Sequence, residues 1–195
     1  MRALNDLILR FSRSAPLFVL AFMVASGSLF AVFYPLGEVF GQLTGGLQMF
    51  DFQNQLTQEQ VLEQLPRYTP EAVNLYYAFM FVDYFFPFFA GIFLAAISAF
   101  SLRHLSPRAY DWVNARSLFP LLMIGTGFDW LENLSALIAV SNYPGDVATA
   151  ASALVLAKKG KLFFVLISQA VGWSLLLLAI LKWLGLRSGL LKPAT

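Results

Sequence analysis

Four apolar runs, each long enough to cross a lipid bilayer as one helix, constrain this chain more than any other feature. They lie at Ala15–Leu36, Tyr76–Phe100, Leu118–Val140 and Leu162–Trp183. A spanning helix needs about 20 apolar residues, and lipid offers no partner for an unpaired backbone group, so runs of this length must be helical. The sequence therefore predicts an all-α integral membrane four-helix bundle, with short interfacial helices in the connections and a single domain over residues 1–195.

The composition indicates that lipid, not water, surrounds much of the protein. Hydrophobic residues make up 58% of the 195 residues and charged residues 12%, whereas soluble domains carry about 25% charged residues. The lipid bilayer is thus the first predicted partner, and a net charge of +2 gives no reason to expect nucleic acid. With no Cys and one His, a zinc site is not expected. No residue is assigned as a metal ligand, and no cofactor is identified.

The distribution of Lys and Arg predicts the orientation. Nine of the 13 fall in the N-terminal arm, the second connection and the tail, and four fall in the first and third connections. The positive-inside rule then places both termini in the cytoplasm. Three of the four are Lys158, Lys159 and Lys161, which the sequence predicts to be an interfacial charged group. The first apolar run is predicted to be a retained anchor, because it is too long for the core of a signal peptide.

Capping patterns predict helices in the connections. The segment Thr57–Gln60 has the form of a capping box, which opens a short helix. Thr69 and Ser106 each stand directly before a proline, the order expected of an N-cap and the first helical residue. The segment Pro107–Arg116 is predicted to lie along the cytoplasmic interface. The segment Asp146–Lys161 is predicted to be helical and to run on into the fourth span.

Three acidic residues, Asp83, Asp129 and Glu132, lie inside the predicted spans. Ionisable groups are costly in hydrocarbon and usually have a function there. Asp83 is seven positions from the outer end of its span and Glu132 eight positions from the outer end of the next, which puts both about 10–12 Å below the outer boundary. We therefore expect the carboxyl groups of the two spans to lie within about 8 Å of each other, close enough for direct or water-mediated coupling.

Other polar residues fall in the same layer. Asp129, Glu132 and Asn133 share one helix face, because they are three and four positions apart. Gln169 in the fourth span and Ser28 in the first fall at a similar depth. The predicted ligand-binding or proton site therefore consists of Asp83, Asp129, Glu132, Asn133, Gln169 and Ser28. For each of them, hydrogen bonding between helices is the structural alternative.

Glycine and proline residues near the acids predict details of the local backbone. Gly125 and Gly127 are expected to let a neighbouring helix approach closely. Pro87 follows Asp83 by four residues, and its ring is incompatible with the usual helical hydrogen bond to the Asp83 carbonyl group. That carbonyl is expected to be a spare acceptor beside the acids.

The sequence leaves three classes of function open. The first is binding or transport of a cation, a proton or an amphiphilic small molecule. The second is an enzyme that acts on a lipid-like substrate by acid–base chemistry between carboxyl groups, for which no catalytic residue is assigned. The third is an assembly subunit of a membrane complex, and a homo-oligomer is also left open. An enzyme requires a roomy cavity, a cation site requires converging oxygen atoms, and an assembly subunit would leave an acid facing lipid.

Overall fold

The computed structural model describes residues 1–190, and Lys192, which enters the charge count, lies outside these residues. The protein is all-α: 86% of it is helical, and the described residues contain no strand. The α-helices in this range are α1 (Arg2–Arg13), α2 (Ala15–Ala31), α3 (Gly37–Thr44), α4 (Gln58–Gln64), α5 (Pro70–Asp83), α6 (Phe85–Leu105), α7 (Pro107–Ala115), α8 (Ile124–Asn142) and α9 (Ala148–Arg187). A π-helical turn at Val32–Leu36 joins α2 to α3, and short 3-10 turns lie at Phe50–Phe52, Leu65–Arg67 and Phe119–Met123.

Three helical segments are long and apolar enough to cross a membrane: Ala15–Thr44, Pro70–Leu105 and Ala148–Arg187. They contain the first, second and fourth predicted spans, which indicates a membrane-embedded protein. The third predicted span, Leu118–Val140, is helical along most of its length. Its acidic and amide side chains make it less apolar than the other three, so it stays a prediction as a span.

The helix starts in the connections follow the predicted capping chemistry. The Thr57 hydroxyl accepts a hydrogen bond from the Gln60 backbone N–H at 3.3 Å, and the Gln60 side chain accepts one from the Thr57 N–H at 2.9 Å. Thr69 caps α5 and Ser106 caps α7 in the same way. The predicted continuity of the helix before the fourth span is confirmed as well, since α9 runs unbroken from Ala148 to Arg187.

Helix α6 packs against both α2 and α9, while α9 also packs along α8. Helix α5 ends at Asp83 and α6 begins at Phe85, as expected because Pro87 cannot continue the hydrogen-bond ladder. The carbonyl group of Tyr84 at this break accepts a hydrogen bond from Trp130 Nε1 at 3.2 Å. The break therefore ties α5 and α6 to α8 beside the acidic residues.

The contact between α8 and α9 depends on Gly125. A Cβ atom at this position would lie 2.8 Å from Val165 Cγ2 of α9, closer than two carbon atoms approach. This confirms the predicted close approach at Gly125. The same prediction for Gly127 is wrong, because nothing lies within 4 Å of a Cβ atom built there.

Residues 37–69, called here the folded connection, form a packed layer over one end of the bundle. Its apolar side chains share a core with the adjoining ends of α5, α8 and α9. Fully buried members of this core include Phe40, Phe50, Val61, Tyr76, Phe79, Ala136, Ala139, Ala151 and Leu154. The first part of α5 is therefore covered by protein, and the acidic residues lie beneath this layer.

A second core lies at the other end of the bundle, where the N-terminal arm forms helix α1. Ile8, Leu9 and Phe11 are buried there against α6 and the segment from α7 to the turn that precedes α8. Asn5 Nδ2 donates a hydrogen bond to Asn114 Oδ1 at 2.9 Å. Sequence patterns had not predicted this helix, because the arm is short and lies before the first apolar run.

Beyond Lys161, helix α9 exposes apolar side chains on several faces. Leu166 is 70% exposed, and Leu177, Leu181 and Trp183 are each more than half exposed. Apolar patches of such extent on a soluble monomer would drive association. This surface of α9 is therefore suited to contact with lipid.

Candidate functional site

The structure brings the three predicted acids together with three charged residues that the sequence had not assigned to the site. The six side chains are called here the charged cluster. They come from a turn in the folded connection, from α5, from α8 and from α9: Asp51, Asp83, Asp129, Glu132, Lys158 and Lys161.

Lys161 lies among three carboxylates of the charged cluster. Its Nζ atom is 3.0 Å from Asp51 Oδ1, 3.1 Å from Asp129 Oδ2 and 2.9 Å from Glu132 Oε2. Lys158 is more completely buried than Lys161. Its Nζ atom is 2.6 Å from Glu132 Oε1, and it also donates to the Asp51 carbonyl oxygen at 3.1 Å. Two ammonium groups therefore hold the folded connection, α8 and α9 together.

The sequence predicts that the three lysines form one interfacial group, but the side chains of Lys158 and Lys161 turn into the protein and only Lys159 of the three is exposed. Lys158 is 2% exposed and its partner Glu132 is fully buried. A lysine usually extends its ammonium group towards water. Here the nearby carboxylates and the Asp51 carbonyl oxygen replace that hydration.

The acids also converge on one another. Three carboxylate oxygens lie within 4.8 Å of one another, one from each of Asp51, Asp83 and Asp129. The distance predicted between Asp83 and Asp129, within about 8 Å, is therefore confirmed. Asn133 Nδ2 donates a hydrogen bond to Asp83 Oδ2 at 2.8 Å, which ties the α5 acid to the face of α8 that carries Asp129 and Glu132.

Several buried oxygen atoms at the charged cluster have no hydrogen-bond partner among residues 1–190. They include Asn133 Oδ1, Asp129 Oδ1 and Asp51 Oδ2, and the hydroxyl oxygen of the fully buried Tyr76 is a further one. Buried polar atoms in folded proteins are nearly always paired. These oxygen atoms can therefore accept a hydrogen bond from a further donor or coordinate a cation.

The hydroxyl group of Tyr68, in the folded connection, is another buried polar group with no partner in the described part of the chain. Burial raises the pKa of Tyr68, and the negative charge of Asp51 raises it further. The phenol therefore stays protonated across the physiological range and keeps an O–H donor next to the acids.

The charged cluster carries more acid than base. Four carboxyl groups are matched by two ammonium groups, so the fully ionised cluster has a formal surplus of two negative charges. Buried charges are stable only when they are paired or coordinated. The surplus must be neutralised by bound cations or by protons.

Ser28 and Gln169, the other two predicted site residues, are not part of this cluster. Gln169 is exposed, and its side-chain oxygen accepts a hydrogen bond from Trp173 Nε1. Ser28 is half-buried in α2, and within residues 1–190 no hydrogen bond joins it to the acids. Gln169 lines a small cleft together with Asp129, but within residues 1–190 no hydrogen bond joins the two side chains.

Two clefts adjoin the charged cluster at different levels of α9. A polar cleft of about 510 Å³ opens between the folded connection and α9, with Glu59 and Lys158 in its wall. A smaller cleft of about 100 Å³ lies further along α9 and is lined by Thr126, Asp129 and Gln169. Each cleft thus contacts one member of the charged cluster, Lys158 in the larger cleft and Asp129 in the smaller.

The residues that sequence reasoning missed carry weak signals. Asp51 stands between two phenylalanines in a connection, and an acid flanked by large apolar residues is a sign of burial that the charge count did not use. Lys158 and Lys161 are three positions apart, so they share one face of α9. Their common face indicates that both ammonium groups point towards the same part of the protein.

Comparison of this chain with protein-family models, curated proteins and solved structures finds no match. A function for the protein therefore rests on the chemistry of the charged cluster and on the apolar helices.

Proposed function

We propose that the protein is a multi-pass membrane protein that binds a divalent cation at the charged cluster. The observation that carries the proposal is the surplus of two negative charges among side chains that are almost fully buried. A divalent ion neutralises this surplus in one step. It also gives partners to the unpaired oxygen atoms that lie around the acids.

The spacing of the oxygen atoms supports the same ligand. Two oxygen atoms that bind one ion at about 2.4 Å can lie no more than about 4.8 Å apart. The oxygens of Asp51, Asp83 and Asp129 lie within 4.8 Å of one another, and Asn133 Oδ1 offers a neutral fourth ligand. Carboxylate and amide oxygens are hard ligands, which favour ions such as Ca²⁺, Mg²⁺ and Mn²⁺.

The other classes of function receive less support from the geometry. A site for a lipid-like substrate or an amphiphile normally has a volume of about 300–1,000 Å³. The cleft at Asp129 has only about 100 Å³, and the cleft of about 510 Å³ is lined by none of the four acids of the charged cluster. An assembly subunit would present an acid to lipid, but Asp83, Asp129 and Glu132 are each at most 6% exposed. The converging oxygens are the feature expected of a cation site.

Cation binding can be tested by thermal unfolding of the purified protein in a neutral detergent. After treatment with a chelator, Ca²⁺, Mg²⁺ or Mn²⁺ is added at constant ionic strength, with Na⁺ as the reference. We expect one of the divalent ions to raise the melting temperature, because a ligand at a hundred times its Kd stabilises by about 2.7 kcal/mol. Asp83→Asn should weaken binding by more than the roughly 10–100-fold that the loss of a supporting partner costs.

The matched control is Asp146→Asn, which changes an exposed acid and should leave the cation effect unchanged. Carboxyl infrared absorption across pH 5–9 supplies the second measurement. Absence of any shift with all three ions, together with absorption of protonated carboxyl groups at neutral pH, would mean that the charged cluster shares protons and would overturn the proposal.

Transport of the ion is the second candidate function, and the two clefts that contact different members of the charged cluster, Asp129 and Lys158, favour it. Ion uptake by sealed proteoliposomes tests it, with Asp83→Asn as the inactive reference. Binding without uptake would leave the cation with a role in stability only.

We also propose the four-span topology with both termini in the cytoplasm and the folded connection outside. Lys158 and Lys161 are paired with carboxylates, so they no longer act as free positive charges on the outer side. Arg67 and Lys159 then remain there against nine basic residues on the other side. Lys182 follows Lys161 by 21 positions, which is about 32 Å along a helix and close to the roughly 30 Å of a hydrocarbon core. We infer from this spacing that the charged cluster lies near the outer edge of the hydrocarbon core.

Single cysteines test the topology directly, because the natural chain has none. Glu59, Asn142 and Arg108 are exposed and can each be replaced by cysteine. With a membrane-impermeant thiol reagent on intact cells, we expect Glu59→Cys and Asn142→Cys to be labelled, and Arg108→Cys only after permeabilisation. Labelling of Asn142→Cys and Arg108→Cys from the same side would show that α8 does not span the membrane.

A further inference from the structure

An apolar groove lies at the end of the bundle away from the charged cluster. It has a volume of about 590 Å³ and is formed where α1 turns into α2, against α6 and α9. Phe18, Phe93, Ile97 and Trp173 form much of its wall. The wall is apolar enough for a hydrocarbon chain, and its volume is within the range of about 300–1,000 Å³ typical of small-molecule sites.

Two arginines, Arg13 and Arg103, stand in this apolar wall. Arg13 Nη2 donates to the Tyr110 hydroxyl at 3.0 Å, and Arg103 Nη2 donates to the Ser12 carbonyl oxygen at 3.3 Å. The Arg103 guanidinium also lies over the Phe100 ring, 5.7 Å from its centre. These contacts hold both guanidinium groups at the groove while leaving other N–H donors of each unused.

No acidic side chain lines the groove. Within residues 1–190, neither arginine is in an ion pair. The start of α2 also faces this place, since Ser14 and Ala15 line the groove, and Ser14 makes no capping hydrogen bond through its side chain. The positive end of the α2 dipole therefore adds to the two guanidinium charges.

We propose that this groove binds an anionic phospholipid, with one acyl chain along the apolar wall and the phosphate group between Arg13 and Arg103. The apolar wall fits a hydrocarbon chain, and the two guanidinium groups fit a negatively charged group at one end of that chain. A phospholipid has both an acyl chain and a phosphate group. Guanidinium groups bind phosphate through paired hydrogen bonds. This proposal does not depend on cation binding at the other end of the bundle.

Native mass spectrometry of the protein purified in a neutral detergent tests the proposal. Phosphatidylglycerol and phosphatidylcholine with identical acyl chains are added at equal concentration, so that only the headgroup charge differs. We expect phosphatidylglycerol to remain bound several-fold more than phosphatidylcholine. The Arg13→Gln/Arg103→Gln variant should lose this preference and bind the two lipids equally.

The matched control is the Arg2→Gln/Arg108→Gln variant, which removes two exposed arginines from outside the groove. It should keep the preference. Equal retention of both lipids by the natural protein would overturn the proposal, and so would an equal loss of preference in the control, because basic surface charge alone would then explain it.

A measurement in bilayers keeps the proposal testable if the Gln variant does not fold. Phosphatidylglycerol with brominated acyl chains should quench tryptophan fluorescence more strongly than the matching phosphatidylcholine. In Trp173→Phe, which removes the tryptophan in the groove, the difference between the two lipids should disappear. A difference that persists in Trp173→Phe would place the preferred lipid elsewhere and overturn the proposal.

Discussion

Replacing Lys161 by methionine is expected to lower the free energy of unfolding by about 3–5 kcal/mol, the usual effect of removing one partner from a buried ion pair. The ammonium group contacts Asp51, Asp129 and Glu132, and without it these carboxylates repel one another in a water-poor region. Denaturant or thermal unfolding in detergent measures the loss. Lys159→Met is the matched control, because Lys159 is exposed on the same helix.

The same variant links stability to the proposed cation site. Removal of Lys161 leaves the charged cluster with a surplus of three negative charges in place of two, so a divalent ion should stabilise Lys161→Met more than the natural protein. If Lys161→Met is as stable as Lys159→Met, the carboxylates are not held together by this lysine.

The second large effect is expected at the pair of Glu132 and Lys158, which are 0% and 2% exposed. Glu132→Ala should destabilise the protein by about 3–5 kcal/mol, because it leaves the buried ammonium group of Lys158 without a carboxylate. The double variant Glu132→Gln/Lys158→Met removes both charges while keeping similar volumes. It should recover most of the lost stability, since replacing a whole buried pair is often neutral.

A double-mutant cycle of Glu132→Gln, Lys158→Met and the double variant measures the coupling of these two positions. Strong positive coupling supports direct pairing of the two side chains. If the double variant is as unstable as the sum of the single variants, Glu132 and Lys158 stabilise the protein through separate partners.

Most helices and their first residues could be predicted from the sequence, because they depend on residues that are close together in the chain. Thr57, Thr69 and Ser106 cap the helices that their neighbours predict. The meeting of Asp83 with the acids of α8 was also predictable, because neighbouring antiparallel helices bring residues at similar depths together. Each of these inferences needs only neighbouring residues or a count along the helix.

The basic half of the site could not be predicted in the same way. A lysine side chain is long enough to reach either water or the protein interior, and only the position of acids on other helices decides the direction. Asp51 is one of those acids, and it reaches α9 through the fold of residues 37–69, which has no periodic pattern to read. Lys158, Lys161 and Asp51 were therefore placed by tertiary structure.

The predicted layer that contained Ser28 and Gln169 shows a second limit. Depth along a helix follows from the 1.5 Å rise per residue, but the direction of a side chain around the axis depends on which face the helix packs. Helix α9 turns Ser168 inwards and leaves Gln169 exposed. A single position along the helix separates a buried residue from one on the outer surface.

Helix α9 is continuous along its whole length, so it connects two distant parts of the protein. Its first half is fastened to the carboxylates by Lys158 and Lys161, while Lys182 near its far end donates to the His104 and Leu105 carbonyl oxygens where α6 ends. The helix is continuous between these two anchors, which lie about 30 Å apart along its axis. The charged cluster and the end of α6 are thus fastened to one continuous element of the protein.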